Sequence, residues 1–392
     1  FLADVLRVAG SWLARVLLAV GSDVEVEDAD RVLTRRLSEA ADALAGYTDA
    51  ATVACLDLTA STDGDPRAVA ELWHSLDPAE RQRLARSYPE LGSVAGLSSA
   101  TRDALNRTRL ARLLDAGSVP NRTALAGLAE HLEADPRRLL LSLHDGRAVV
   151  ASADLDGADR VVTLVPGTGS SIESLDRTAA RAEALCDSAT RAATDAGGST
   201  AVDAATDSCV AVSWQGYDAP PDIFSAASSA DRATAYAGDL QTFAAGLDAV
   251  DGMDGDDSPH TVVGYSYGSA TLGAAAADPR GLAADRMIHV GSPGATVDSI
   301  AQQWVDDGGL ARAATDREVV GVASRWDPVP WWSISGVLGG LPGSEDFGGM
   351  AVDVTQPGDG PGSIRDVHSR YFDPNTVSLD EIGRLIATSR DR

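Results

Sequence analysis

The sequence contains no lysine, so each of its 32 basic residues is an arginine, against 58 acidic residues and a formal net charge of −26. Proteins that bind nucleic acid or anionic membranes do so through a basic face, because phosphate groups must be neutralised. No such face is visible in the sequence. We therefore exclude nucleic acid and anionic membranes as partners, and we expect a strongly hydrated surface.

Cysteine is also scarce. Cys55, Cys186 and Cys209 show neither CxxC nor metal-ligand spacing, so we expect no metal site and no cofactor. Cys186 and Cys209 can pair if the protein is exported, but we favour three buried thiols. The odd cysteine and the lack of a visible signal sequence favour the cytoplasm. The acidity and a Cys186–Cys209 bridge would favour export, so the location stays open.

The first twenty residues, FLADVLRVAGSWLARVLLAV, are apolar enough to suggest a signal or a membrane segment. On a helix, however, Asp4, Arg7 and Arg15 fall on one side and leave an apolar face. A small-residue cleavage site is missing where a signal peptide needs one. We predict an amphipathic helix packed on the protein and no integral membrane segment. The chain begins with Phe1, which is compatible with the removal of an earlier targeting segment.

The pattern along the chain changes near residue 135. Before it, helical periodicity dominates, and Asp65–Pro66 and Asp77–Pro78 are typical helix starts. After it, a hairpin turning at Asp145–Gly146 is followed by β-branched strands that alternate with alanine-rich helices. Such strands predict a mostly parallel sheet with helices on both faces. We predict a helical region at 1–135 and an α/β domain at 136–392.

The segment HTVVGYSYGSATLG, residues 260–273, places G-x-S-x-G between a predicted strand and a predicted helix. This is the pattern of a nucleophile elbow. Gly264 and Gly268 allow a turn so sharp that Ser266 is raised above the sheet. The N–H of Tyr267 and the helix N-terminus can then stabilise an oxyanion. The strand–turn–helix context favours a nucleophile over an inert serine in a tight turn.

A serine nucleophile needs a histidine base and an acid, which follow it in the order Ser, Asp/Glu, His in this fold class. Only His289 and His368 lie beyond Ser266. We predict that His289, in the strand RMIHVG, is a packed core residue, and that His368, before the last helix, is the base. Asp327 follows a predicted strand and is our choice of acid. The competing carboxylates are Asp353, Asp359 and Asp366.

The glycine-rich turn VPGTG supplies the second oxyanion donor. We predict the N–H of Thr168, with that of Gly167 as the alternative. A phosphate-binding loop is disfavoured because no GK[ST] follows the turn. Aromatic residues next to the acid and the serine are candidate walls of a substrate pocket, although ordinary packing is as good an explanation for the tryptophans. These pocket candidates are Tyr265, Trp326 and Trp331.

Six segments together resemble an actinobacterial α/β-hydrolase family catalogued as a domain of unknown function. They read VPGTG, WQGYDAP, GYSYGS, GSPG, DPVP and HSRYF. The resemblance covers the chain from about residue 65. It implies the α/β-hydrolase fold, supports Ser266, Asp327 and His368 as a triad, and makes the N-terminal helices a cap or partner-binding element. The elbow of this family usually reads G-H-S-Y-G, and in this chain Tyr265 replaces the histidine. We expect this replacement to leave the triad unaffected.

The function that we predict is hydrolysis of a small-molecule carboxylic ester through an acyl-enzyme on Ser266. The same acyl-enzyme would serve an acyltransferase or cyclase if another nucleophile replaced water, and a peptidase or amidase would use the same groups. A non-catalytic scaffold that binds a protein partner through its N-terminal helices is the alternative from another class, because a fold alone does not establish catalysis.

Overall fold

The structure is a computed structural model that describes residues 65–116, 121–197, 208–222, 225–226, 229–254, 258–331 and 336–389. All of them lie in one compact unit, Asp57–Arg392. The helices predicted before residue 65, the amphipathic first segment among them, lie outside the described residues, as does Cys55.

Within the described residues, four α-helices precede the sheet. They are α1 (Pro66–Ser75), α2 (Pro78–Ser87), α3 (Ser99–Asp115) and α4 (Arg122–Ala134). The two predicted starts are confirmed, since Asp65 and Asp77 are the N-caps of α1 and α2. Asp77 also forms a capping box with Glu80, which satisfies N–H groups that the first helical turn leaves without partners.

A sheet of eight strands forms the centre of the unit, with the order β1-β2-β4-β3-β5-β6-β9-β10. Strand β2 runs antiparallel to both of its neighbours, and the pairs from β4 to β10 are parallel. The predicted hairpin turn at Asp145–Gly146 joins β1 to β2, and both turn residues have positive φ. The strands of this sheet are β1 (Leu139–His144), β2 (Arg147–Ala151), β3 (Arg160–Val165), β4 (Cys209–Gln215), β5 (His260–Tyr265), β6 (Arg286–Val290), β9 (Val319–Ala323) and β10 (Met350–Asp353).

Helices cover both faces of the sheet, as the apolar strands predicted. One buried cluster joins the sheet to α5 and α10, and another joins it to α7 and α8. Helix α3 packs along the edge strand β1. Parallel strands buried on both faces end at one edge of the sheet, where their loops form a ligand site. The helices are α5 (Leu175–Gly197), α6 (Asp231–Ala235), α7 (Ala237–Asp254), α8 (Gly268–Ala276), α9 (Ile364–Val367) and α10 (Val377–Ala387).

Two short strands were not predicted, and a third, β10, was indicated only by the alternation of Asp353 with valines. Strands β7 (Trp304–Asp307) and β8 (Leu310–Ala313) form a separate antiparallel pair, and β10 is the last strand of the main sheet. Each has four residues and is largely exposed or half-buried. Strands this short and this polar carry too little apolar pattern to be recognised from sequence.

Cys186 and Cys209 form a disulfide, with their Cα atoms 5.4 Å apart. Our preference for three free thiols is wrong for this pair. Helix α5 packs against β4, and this contact, which sequence spacing does not reveal, brings the two residues together. The described residues also include no helix that is both long and apolar enough to span a membrane.

Candidate active site

The turn between β5 and α8 carries Ser266 in a strained conformation. Its φ is +54°, which is unusual for a residue other than glycine. A Cβ on Gly268 would lie 2.2 Å from the carbonyl oxygen of Val165, and one on Gly264 would lie 2.8 Å from Cα of Ser269. Any larger residue would therefore clash with backbone at either position. The structure has the strand–turn–helix geometry of a nucleophile elbow.

The turn after β3 lies directly against the serine. A Cβ on Gly167 would be 2.7 Å from Cβ of Ser266 and 3.3 Å from its Oγ. Gly169 has a φ of +72° and donates to the carbonyl of Pro220 at 2.7 Å, so the segment after β4 holds this turn. In the described turns and loops, the N–H groups of Gly167, Thr168 and Tyr267 donate to no backbone carbonyl.

The side chain of Tyr267 links the turn at Ser266 to the segment around α6. Its side chain is buried, and its hydroxyl donates to the carbonyl of Ser229 at 2.9 Å and accepts from the N–H of Ala233 at 3.3 Å. The side chain thus anchors the segment that leads into α6, while the backbone N–H of the same residue stays beside Ser266.

Asp327 and His368 meet across 41 residues of sequence. His368 Nδ1 lies 2.8 Å from Asp327 Oδ2, and the aspartate is fully buried in the loop after β9. The N–H of Val329 donates to Oδ1 at 2.9 Å. A buried carboxylate held in this way can orient an imidazole and fix its tautomer.

Two of the competing carboxylates have other partners. Asp353 pairs with Arg325 at 2.8 Å, and Asp359 pairs with Arg370 at 2.7 Å. Asp327 is the one of the four candidate carboxylates for which a contact with His368 is observed among the described residues.

Tyr371 is the third group bound to Asp327, and the sequence did not single it out. Its hydroxyl donates to Asp327 Oδ2 at 2.7 Å and accepts from the N–H of Ser324 at 3.0 Å. Burial and the nearby Asp327 carboxylate raise the pKa of Tyr371, so it remains a neutral donor. The only available signal was its place three residues after His368 in HSRYF.

Tyr265 contacts His368 through both its ring and its hydroxyl group. The two rings stack with centroids 5.1 Å apart and planes 24° apart, and the tyrosine hydroxyl donates to the carbonyl of His368 at 2.7 Å. Burial raises the pKa of Tyr265 to about 12. The guanidinium group of Arg181 in α5 makes cation–π contacts with two rings. Its central carbon lies 5.1 Å from the ring centroid of Tyr265 and 5.4 Å from that of Phe372. Tyr265 therefore contacts the backbone and the ring of His368 directly.

His368 contacts Tyr265, the residue before Ser266 in the sequence. Within the described residues, Ser266 Oγ and the imidazole share no hydrogen bond. Catalytic hydrogen bonds are often long until substrate binds.

The two tryptophans predicted to line a pocket lie on the loop after β9. Trp326 is half-buried, and Trp331 has an exposed fraction of 48%. Their positions do not establish a contact with Ser266 or a place in a pocket wall. The pocket role of the two tryptophans therefore stays a prediction.

His289 lies in β6, opposite Gly264 of β5, and is fully buried. Burial lowers its pKa to about 3, so the imidazole is neutral at ordinary pH. This position agrees with the predicted core histidine rather than with a base.

Gly291, just after β6, is a second residue that sequence reasoning missed. Its φ is +55°, and a Cβ there would lie 2.8 Å from Asp327 Oδ2 and 3.0 Å from Cε1 of His368. A side chain at this position would push into the acid–base pair. The motif GSPG contained the signal, but only the fold shows what the glycine faces.

Comparison with known families agrees with this architecture. Residues 142–320 match a family model described as Alpha/beta hydrolase. The chain has the α/β-hydrolase fold. The matched part includes Gly167 and Ser266, whereas Asp327 and His368 follow it in the sequence.

Two relatives of this hydrolase-fold chain are uncharacterized proteins of Mycobacterium tuberculosis, from strains CDC 1551 and H37Rv. Each is 30% identical over 341 residues, an alignment that covers 75% of this chain and 49% of the relative. The chain thus spans about half the length of the curated relatives it matches. Among solved structures, Est1E from Butyrivibrio proteoclasticus aligns with 64% of this chain and 98% of its own, at 12% identity and a TM-score of 0.32. A likeness of that size supports no inference about function.

Proposed function

We propose that the protein is a serine hydrolase that cleaves a small-molecule carboxylic ester through an acyl-enzyme on Ser266. In this proposal His368 is the base and Asp327 orients it. The N–H groups of Tyr267 and Thr168 form the oxyanion hole, with that of Gly167 as the alternative donor.

The observation that carries the proposal is the contact between His368 Nδ1 and Asp327 Oδ2 at 2.8 Å. His368 also stacks on Tyr265, which directly precedes a serine that is held at a φ of +54°. A buried, paired carboxylate and a strained serine both need support from the surrounding structure, and such features cluster at functional sites. A scaffold with no catalytic role has no need of them.

The chemistry follows from these positions. Ser266 Oγ attacks the ester carbonyl carbon while His368 Nε2 takes the hydroxyl proton, and Asp327 stabilises the imidazolium through Nδ1–H. The oxyanion of the tetrahedral intermediate accepts from the two backbone N–H groups. His368 then gives its proton to the leaving alkoxide, and an acyl-enzyme remains. Water, deprotonated by His368, attacks the acyl carbon and releases the carboxylic acid and free Ser266.

The surroundings of the reaction are part of the proposal. Residues 1–135 would act as a cap or bind a protein partner, while residues 136–392 would carry the chemistry. The Cys186–Cys209 disulfide favours an oxidising compartment, because such bonds are rare in the cytosol. It therefore shifts our proposed location from the cytoplasm toward export.

Hydrolysis of p-nitrophenyl esters with acyl chains from acetyl to dodecanoyl tests the activity. We expect release of p-nitrophenolate by the natural protein and a loss of at least about 10⁴-fold in kcat for Ser266→Ala. The matched control is Ser75→Ala, at the end of α1, which should hydrolyse the esters at the natural rate. Equal hydrolysis by Ser266→Ala and the natural protein would contradict the proposal.

A further inference from the structure

Arg102 of α3 is a buried cation that forms no ion pair with any residue that the structure describes. Its exposed fraction is 3%, and its Nε has no hydrogen-bond partner among the described residues. Burial alone lowers the pKa of Arg102, to about 10, so the guanidinium is still charged at neutral pH. None of the ion pairs in the described part of the chain includes it. Buried charges in proteins are normally paired.

The contact that Arg102 does make is with an aromatic ring. Its guanidinium carbon lies 5.5 Å from the centroid of Phe243 in α7. This cation–π contact stabilises the charge, but it provides no hydrogen-bond acceptor for the N–H groups of the guanidinium. The planar donor set of the guanidinium therefore remains available to an anion.

Arg102 lines a cleft of about 680 Å³ between the N-terminal helices and the strands β1, β2 and β4. The cleft is lined by four arginines and by only two carboxylates, Glu90 and Asp239, although the chain as a whole has a net charge of −26. Asp239 already pairs with Arg147, 3.7 Å away. Arg109 donates to the carbonyl of Leu143 at 2.7 Å, and no described carboxylate pairs with it.

The remaining wall of the cleft combines polar residues such as Ser142 and Thr242 with an apolar part that includes Val149, Trp214 and Phe243. A volume of this size, apolar side chains and a few charged groups are the usual features of a small-molecule site. The residues that line it include none of Ser266, Asp327 and His368. The cleft is therefore separate from the candidate active site.

We propose that this cleft binds a small organic carboxylate, whose charged group pairs with Arg102 and Arg109 and whose apolar body packs on Trp214 and Phe243. An arginine binds a carboxylate through two parallel N–H···O bonds, which would complete the hydrogen bonding of the buried guanidinium. The apolar wall favours an organic acid over an inorganic anion. This site would be additional to the proposed ester hydrolysis and does not depend on it.

Binding of hexanoate to the full chain at pH 7, measured by calorimetry and by the rise in Tm, tests the proposal. Two control ligands separate the contributions. Hexanol has the same alkyl chain but no charge, and inorganic phosphate has negative charge but no alkyl chain. We expect hexanoate alone to bind and to raise Tm. Arg102→Met should weaken hexanoate binding by about tenfold or more while leaving the free protein at least as stable, because it removes an unpaired buried charge. Arg137→Met, an exposed arginine paired with Asp135, is the control that should bind normally.

Arg109→Met gives a second variant, for the case that Arg102→Met does not fold, and should weaken hexanoate binding by several-fold. Several results would overturn the proposal. They are the absence of hexanoate binding, equal binding of hexanol or phosphate, and unchanged hexanoate affinity in the arginine variants. The last result would also place any bound hexanoate elsewhere, for example beside Ser266.

Discussion

The turn around Ser266 and the loop around His368 hold their side chains in different ways. At the serine, backbone packing sets the geometry, because Gly264 and Gly268 leave no room for a Cβ. At the histidine, side chains set it, because Asp327 and Tyr265 hydrogen-bond to His368 and Tyr371 hydrogen-bonds to Asp327.

The difference predicts how each half responds to substitution. A change in the serine turn alters backbone packing and should reduce stability and activity together. A change in the acid–base half removes one hydrogen bond in a group that keeps its other contacts, and it should reduce activity with little loss of stability. Three substitutions test this comparison, and a fourth, at His289, tests the buried strand beside the serine turn.

Asp327→Asn should have the largest effect on the rate. The amide keeps the shape of the carboxylate but presents a donor or a neutral oxygen to His368 Nδ1, so it favours the wrong tautomer and loses the charge that stabilises the imidazolium. We expect kcat for p-nitrophenyl esters to fall by about 10⁴-fold, with Tm changed by only a few degrees. Asp353→Asn, which removes an acid paired with Arg325, should keep its activity. A small loss in Asp327→Asn would show that His368 does not depend on this carboxylate.

Gly268→Ala should affect fold and activity at once. The added Cβ would lie 2.2 Å from the carbonyl oxygen of Val165, so β3 or the elbow must move. We expect a loss of about 2–4 kcal/mol in the free energy of unfolding, measured with urea, together with loss of ester hydrolysis. Gly127→Ala in α4 meets no atom within 4 Å and should be neutral or stabilising. Normal stability of Gly268→Ala would contradict the steric account of the elbow.

Tyr371→Phe should give an intermediate effect. The variant loses the hydroxyl that donates to Asp327 Oδ2 but keeps the ring, so the acid loses one of its donors. We expect kcat to fall by about 10- to 100-fold, as for one hydrogen bond to a charged group, and the acidic limb of the pH–rate profile to move. Tyr265→Phe loses a hydroxyl bonded to a backbone carbonyl and should lower kcat only several-fold. Equal kcat values and unmoved pH profiles in the two variants would show that Tyr371 is structural only.

His289 should produce the smallest effect, on stability in acid. Its folded pKa of about 3 is below the unfolded value of about 6.5, so the unfolded state binds a proton that the folded state does not. The contribution of His289 is complete above pH 6.5 and is lost as the pH falls toward 3. The free energy of unfolding, measured with urea, should fall between pH 6.5 and pH 5. We expect this fall to be smaller in His289→Asn than in the natural protein, by roughly 1–2 kcal/mol. Identical slopes in the two proteins would contradict a buried, neutral His289.

Much of the serine half could be predicted because it depends on local sequence. Gly264, Ser266 and Gly268 are neighbours in one turn, and their steric requirements are visible in a pentapeptide. The parallel sheet was predictable for a similar reason, since strands buried on both faces read as continuous apolar runs. The position of Asp327 past a strand pointed to the acid through topology.

The rest of the site depends on contacts between distant segments. Neither the hydrogen bond from Tyr371 to Asp327 nor the stacking of Tyr265 on His368 follows from composition or periodicity. Our expectation that Tyr265 leaves the triad unaffected stays a prediction, and it did not anticipate that the hydroxyl of Tyr265 donates to the carbonyl of His368. The Cys186–Cys209 bridge was missed because the two cysteines meet only through the packing of α5 on β4.

Labelling with a fluorophosphonate probe, followed by mass-spectrometric mapping of the modified peptide, tests the central claim most directly. The probe reacts with a serine only when a base activates its hydroxyl. Our account predicts modification of the peptide that contains Ser266, its absence in Ser266→Ala and a strong reduction in His368→Ala. Absence of labelling in the folded natural protein, or labelling that persists in Ser266→Ala, would contradict an activated Ser266.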